Sequence, residues 1–298
     1  VLTHFEKTNL YLSHCCGERH AHQLPIEAKK EMRSSRITFE DPLLIFRDLT
    51  GDGRMDISHI SQGKVSVFKQ NTEGGFNKEA SNINISNEIY GVNWWDIQTA
   101  DGEGKDQSDL SHKVVEDIKD VNGDKVPDII TRFTKSSGVL DRSNDYEFYF
   151  GEMKNGHLTF KGVPSTTISH DETLTNMTLV DLNQDEKLEV LVSSFDIGVS
   201  EVIAALLAGS IDQEVLVFAL DDSSNFGKKP MVKGEVELNF SISKGQSGNP
   251  LIKTADINGD SQKDLLFSDG DEKLSIKLAT PNGKRSYARR NIKYKVTL

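Results

Sequence analysis

Four nine-residue stretches of the chain set acids at fixed intervals: DLTGDGRMD (Asp48–Asp56), DVNGDKVPD (Asp120–Asp128), DLNQDEKLE (Asp181–Glu189) and DINGDSQKD (Asp256–Asp264). Positions 1, 5 and 9 are acidic in every copy, which singles out Asp48, Asp52 and Asp56; Asp120, Asp124 and Asp128; Asp181, Asp185 and Glu189; Asp256, Asp260 and Asp264. Position 3 is Thr50, Asn122, Asn183 or Asn258, so it also ends in an oxygen. Oxygen donors at alternate positions of a curled chain suit a hard cation, and calcium takes about 6–8 of them in flexible geometry. Position 7 is expected to add a backbone carbonyl (Arg54, Val126, Lys187, Gln262), which leaves its side chain free to vary. The acid at position 9 is expected to close the shell. Gly51, Gly123 and Gly259 at position 4 permit a sharp curl. No loop contains Cys or His, which argues against zinc and copper.

The copies start 72, 61 and 75 residues apart, a repeat long enough for several strands. An EF-hand is rejected by spacing: it requires an acid at position 12 and a helix on each side. Position 12 here is His59, Thr131, Val192 or Phe267. The flanks read as strands, with LLIF before Asp48, II at Ile129 and VLV at Val190. A D-x-[DN]-x-D-x-x-x-D loop between two strands resembles the FG-GAP/VCBS repeats of integrin α-chain-like β-propellers. The likeness runs from about Leu43 to Leu298 and is best in the fourth copy. The third copy departs, with Gln184 at position 4 and Glu189 at position 9, and the first has Thr50 where the others have an amide.

The resemblance implies an all-β chain, a β-propeller of four-stranded blades with calcium loops between the first and second strands. Blades are expected at about 43–90, 113–165, 175–240 and 250–298 of a single domain over 1–298, with 1–42 as an additional or incomplete blade. First strands end in the motif, as in LLIFRD and MTLVD; third strands alternate, as in KVSVFKQ, YEFYFGE, EVLVFAL and KLSIKLA; fourth strands follow turns such as NTEGGF, MKNGHLTF and TPNGKRSY. Propellers of the integrin type resemble seven-bladed rings, so the chain reads as a partial propeller, with a compact smaller ring as the alternative. It begins at Val1 rather than Met, as a mature or trimmed form would.

Two segments interrupt the repeat. GVSEVIAALLAGSID has strong helix formers and an apolar middle, and predicts a short helical insertion near 199–211, against the rim or as a partner-docking element. The loop from Gly91 carries Trp94 and Trp95, a candidate ligand-binding pair. The cluster His14, Cys15, Cys16, His20 and His22 matches no standard zinc spacing. Three N-x-[ST] sequons start at Asn84, Asn176 and Asn239.

A net charge of −11 argues against a nucleic-acid partner, whose phosphates need Lys and Arg. The one basic cluster, Lys284, Arg285, Arg289, Arg290, Lys293 and Lys295, reads as the solvated face of an edge strand. No apolar run reaches the roughly 20 residues of a transmembrane helix. The resemblance implies a calcium-stabilised binding module that recognises a protein or glycan partner in adhesion or surface recognition. Calcium sites of modest affinity fill only outside the cytosol, which implies a secreted, cell-surface or periplasmic location. The alternative is a polysaccharide-active, lyase-like enzyme on the same architecture. It lacks a recognisable catalytic set, since HExxH, GxSxG and phosphate-loop motifs are absent and His112, His157 and His170 are scattered.

Overall fold

The computed structural model describes residues 2–4, 7–13, 19–26, 29–33, 36–40, 42–97, 104–195, 208–239, 252–268, 273–280 and 286–295. These residues build an all-β chain of antiparallel sheets. The N-terminal region holds a three-stranded sheet of β1 (Leu2–His4), β2 (Lys7–Ser13) and β3 (Arg19–Leu24), then a hairpin of β4 (Lys29–Arg33) and β5 (Arg36–Glu40).

Four meanders follow. The first is β6 (Leu44–Arg47), β7 (Asp56–Ser61), β8 (Lys64–Phe68) and β9 (Ser81–Asn84), hydrogen-bonded in sequence order. In the second, β10 (Ile89–Tyr90) pairs in parallel with β11 (Leu110–Lys119). Then β12 (Asp128–Gly138) and β13 (Asp141–Tyr149) follow, a separate hairpin of β14 (Gly151–Lys154) and β15 (His157–Phe160) intervenes, and β16 (Thr166–Ile168) closes the sheet beside β13. The third is β17 (Thr173–Val180), β18 (Glu189–Phe195), β19 (Ser210–Phe218) and β20 (Val232–Asn239). The fourth is β21 (Ile252–Ala255), β22 (Asp264–Ser268), β23 (Lys273–Lys277) and β24 (Ile292–Lys295). In all four, the acidic loop joins the first and second antiparallel strands.

Side-chain patterning explains the order within each sheet. Second strands are largely buried on both faces: six of the seven residues of β18 are buried, with Val190, Leu191 and Val192 at its apolar centre and Glu189, Ser193 and Ser194 buried beside them. Strand β8 alternates, with Val65 and Val67 buried and Lys64 and Ser66 half-buried. The last strand is most exposed; all four residues of β24 face solvent, and it is the edge of its sheet. Lys293 and Lys295 of the basic cluster lie on it, as the edge-strand reading expects, Arg289 and Arg290 are exposed just before it, and Lys284 and Arg285 lie outside the described residues.

The chain divides into two compact units, Val1–Asp120 with Lys125–Lys135 and Tyr146–Ser165, and Val121–Asp124 with Ser136–Asp145 and Thr166–Leu298. In the first, Ile45, Leu49, Ile60, Val65 and Val67 of the first meander pack on Val115, Ile118, Ile129 and Tyr149 of the second. A second cluster joins Leu24 and Ile26 to Ile57, Phe68 and Phe76. In the other unit, Leu191, Val215, Val217 and Val236 of the third meander pack with Leu265 and Phe267 of the fourth.

Two sequence expectations need correction. MKNGHLTF is not a simple turn before the fourth strand: Asn155 and Gly156, both at positive φ, close it into a separate β14–β15 hairpin, and the outer strand β16 follows it. The predicted helix near 199–211 does not reach its end, because Ser210 and Ile211 already pair with Asn239 and Leu238 in β19. Residues 199–207 lie outside the described residues. So do Cys15, Cys16 and His14, and the side chains of His20 and His22.

Candidate metal centre

Each acidic loop has the same backbone. Position 4 takes a left-handed φ in all four copies: +71° at Gly51, +80° at Gly123, +64° at Gln184 and +77° at Gly259. Position 6 does so too: +80° at Gly53, +68° at Lys125, +69° at Glu186 and +67° at Ser261. A non-glycine residue in this region costs roughly 1–2 kcal/mol. Four of the eight positions carry that cost, so the curl is imposed by the loop's hydrogen bonds and not by glycine alone.

Those bonds come from the acids and amides singled out above. Position 1 caps the turn: Asp48 accepts from the N–H groups of Gly51 (2.8 Å), Asp52 (3.3 Å) and Gly53 (2.8 Å), and Asp256 from those of Gly259 (2.7 Å), Asp260 (3.1 Å) and Ser261 (2.8 Å). Asp181 accepts from Gln184 and Glu186, and Asp120 from Lys125. At position 3, the Oδ1 of Asn122, Asn183 and Asn258 accepts the N–H of position 5 at 3.0–3.1 Å. The carboxylates of Asp52, Asp185 and Asp260 accept the N–H of position 7 at 2.9–3.0 Å, from Arg54, Lys187 and Gln262.

Position 9 works differently. Asp56, Asp128 and Asp264 are fully buried and Glu189 is 3% exposed. Asp56 Oδ2 accepts the N–H of Leu49 and Thr50, and its Oδ1 that of Gln70. Asp264 repeats this with Ile257 and Ala279, Asp128 holds Gly151, and Glu189 holds Leu182. Gln70, Gly151 and Ala279 each stand two residues beyond the end of the third strand. At Asp56 and Asp264 the position-9 acid is therefore a clamp between the loop and the chain just beyond the third strand, a duty the sequence reading did not foresee. A carboxylate offers about four lone-pair sites, so Asp56 with three donors has one left for a cation.

The neighbouring loops of the second unit also touch. Gln184 Nε2 donates to Ser261 O at 2.6 Å, Lys263 Nζ to Asp181 O at 2.8 Å, and Leu188 N–H to Val121 O at 2.9 Å.

The donor chemistry fits a hard cation. Positions 1, 3 and 5 end in oxygen in every copy, and the buried Thr50 Oγ1 has no hydrogen-bond partner. In the geometry described, these oxygens turn toward backbone N–H groups; among the described residues no three His, Cys, Asp or Glu side chains already converge as metal ligands.

Two carboxyls of the acidic loops are shifted. Lys69, foremost, with the Arg54 N–H and the Arg54 guanidinium, holds Asp52 below its ordinary value. Burial, then Asp185 and Asp181, pushes Glu189 from 4.5 up to about 7. A carboxyl raised on folding makes native protein bind more protons than unfolded, so stability falls as pH rises through that range. Metal-free protein should lose stability relative to Glu189→Gln between pH 4.5 and about 7, as thermal melts in chelator would show. Parallel melting curves of the two across that window would contradict it.

Strain at positions 4 and 6 gives a second expectation. A Cβ on Gly259 meets nothing within 4 Å, so Gly259→Ala should cost about 1 kcal/mol through φ alone. Ser261→Gly should stabilise by about 0.5–1 kcal/mol, since it relieves φ +67°. Urea melts of both variants check the pair of opposite signs.

The tryptophans lie apart from the loops in sequence, on a 3-10 turn over Trp94–Asp96. Their rings meet edge to face at 5.4 Å, and Trp95 is 48% exposed. Arg132 stacks 5.3 Å over Trp95 and is fixed by Glu116 and Asn93. His112, read as scattered, is buried: it stacks on Tyr90 at 4.6 Å and its Nε2 lies 2.9 Å from Val92 O.

No family model and no curated protein matches the chain. A solved structure described as showing specific recognition of non-reducing terminal N-acetylglucosamine by an Agrocybe aegerita lectin aligns over 94% of this chain and 90% of that chain. Identity is 12% and the TM-score 0.26, too low to bear on fold or function. Among the described residues no helix is long and apolar enough to cross a membrane.

Proposed function

We propose that the chain is a calcium-stabilised, extracytoplasmic recognition module of FG-GAP/VCBS type, its four meanders being blades of a β-propeller. The observation that carries this reading is the identical curl of all four loops, held at positions 4 and 6 even where no glycine eases it. Calcium would be held by Asp48, Thr50, Asp52, Asp56 and the Arg54 carbonyl in the first loop, and by the matching residues of the others. When bound, it supplies positive charge that neutralises three acids per loop and cross-links them. The chain's own residues do the rest: at Asp56 and Asp264 the position-9 acid ties the loop to the chain just beyond the third strand, and the position-1 acid shapes the turn.

In this reading the chain binds a protein or glycan and does not catalyse. Trp95, exposed and braced by Arg132, is the natural contact for a sugar ring or an apolar side chain. The test is a panel of immobilised acidic and neutral polysaccharides and glycoproteins, probed with and without calcium. Calcium-dependent retention that weakens in Trp95→Ala, with no depolymerisation, is expected. Turnover well above background would overturn the reading in favour of an enzyme.

A further inference from the structure

The four loops differ in what neutralises position 5. In the third and fourth, the Oδ2 of Asp185 and Asp260 accepts from the neutral amide of position 3, Asn183 at 3.1 Å and Asn258 at 2.9 Å. Among the described residues no lysine or arginine contacts either carboxylate. In the first loop Thr50 has no amide to give. Asp52 Oδ2 instead meets Arg54 Nη2 at 2.5 Å and Lys69 Nζ at 2.8 Å. The carboxylate is the shielded member, its side chain 19% exposed against 35% and 41% for the two cations.

The arrangement is local to this copy for a reason visible in register. Lys69 follows directly on β8, and the residues that follow β13, β19 and β23 are Phe150, Ala219 and Leu278, none of them charged. Arg54 is also tied down, since its Nε donates to Gln70 O at 3.2 Å while Gln70 N–H binds Asp56. Asp52, Arg54, Gln70 and Asp56 are thus linked in one chain of polar contacts from the loop to its buried acid.

We infer that Arg54 and Lys69 are a built-in counter-charge that lets the first loop hold its fold without calcium and makes it a weaker calcium site than the third and fourth loops. The inference rests on the calcium reading above. A divalent ion at this loop must displace two side-chain cations or share Asp52 with them. At the third and fourth loops it need only turn an asparagine amide, whose Oδ1 is itself a calcium ligand type. Outer partners of metal ligands commonly alter metal affinity by about 10–100-fold, and a competing cation acts in the unfavourable sense. The first loop would then stay ordered when calcium falls, while the others lose their bridging charge.

The test is calorimetric titration of calcium chloride into the full chain, as wild type, as Lys69→Gln and as Arg54→Gln with Lys69→Gln. Wild type should show a weak site beside a tighter class. Removing the two cations should tighten the weak site by about 10-fold or more. Lys69→Gln alone keeps the Arg54–Gln70 tie, and so the fold of the loop, and should give part of that gain. Amide exchange in chelator is the second readout: Gly51, Asp52 and Gly53 should stay protected where Gly259, Asp260 and Ser261 exchange. Equivalent sites in wild type, or unchanged affinities in both variants, would overturn the inference and leave the calcium reading intact. No binding heat in any variant would instead bring down the calcium reading itself.

Discussion

Replacing Asp56 with alanine is expected to destabilise the protein by about 3–5 kcal/mol. The carboxylate is fully buried and is the acceptor for the N–H groups of Leu49, Thr50 and Gln70 at 3.0–3.1 Å. Alanine leaves three donors without their acceptor, one fully buried at Leu49 and two part-buried at Thr50 and Gln70. Each buried, unsatisfied N–H costs about 1–3 kcal/mol, with Leu49, itself 3% exposed, at the upper end. Asp56→Asn should not rescue fully, because its NH2 group would face either the Gln70 N–H or the Leu49 and Thr50 pair. Asp222→Ala, at an exposed turn, should stay within about ±0.5 kcal/mol. Urea unfolding of the three variants decides it, and an Asp56→Ala midpoint equal to that of Asp222→Ala would show that the clamp carries no weight.

Excess chelator should lower the melting temperature by about 5–10 °C. At millimolar calcium and a dissociation constant on the order of 10⁻⁴ M, each filled site adds about 1.4 kcal/mol. Three tight sites give roughly 4 kcal/mol, a large share of the about 5–15 kcal/mol of an ordinary domain. Without ions each loop holds three acids within nine residues of chain, and a net charge of −11 goes uncompensated; four divalent ions would bring it to −3. Differential scanning calorimetry in calcium and then in chelator measures the shift. Superimposable curves would mean that the loops are turns held by their own hydrogen bonds.

Much of this was legible in the sequence because its signals are local. Alternation in KVSVFKQ and the acidic spacing depend only on near neighbours, and both the strands and the loops between first and second strands lie where that spacing puts them. The role of position 9 was not legible. Whether Asp264 points to an ion or to the N–H of Ala279, 15 residues on, is set by how the third strand returns, and nothing in DINGDSQKD encodes that. The left-handed position 6 was hidden as well, since Lys125, Glu186 and Ser261 give no compositional hint and only Gly53 would have. The β14–β15 hairpin was available in Asn155-Gly156, but MKNGHLTF alternates equally well as an outer strand. The pairing of Lys69 with Asp52 joins the loop to the residue after the third strand, beyond any motif's reach.

Calorimetric titration of calcium into the full chain and into Asp260→Ala asks whether the loops hold calcium at all. Asp260 sits at position 5 of the fourth loop, where it accepts from Gln262 N–H and the Asn258 amide and, among the described residues, no protein cation contacts it. Wild type should bind calcium saturably at sub-millimolar concentration. The variant should lose one equivalent of binding and about 1–3 kcal/mol of stability measured in calcium. Asp269, the acid just beyond the same loop, lies outside the described residues, and Asp269→Ala is expected to bind as wild type does. No saturable calcium uptake by the wild-type chain, or an Asp260→Ala variant that takes up as much as wild type, would contradict the account.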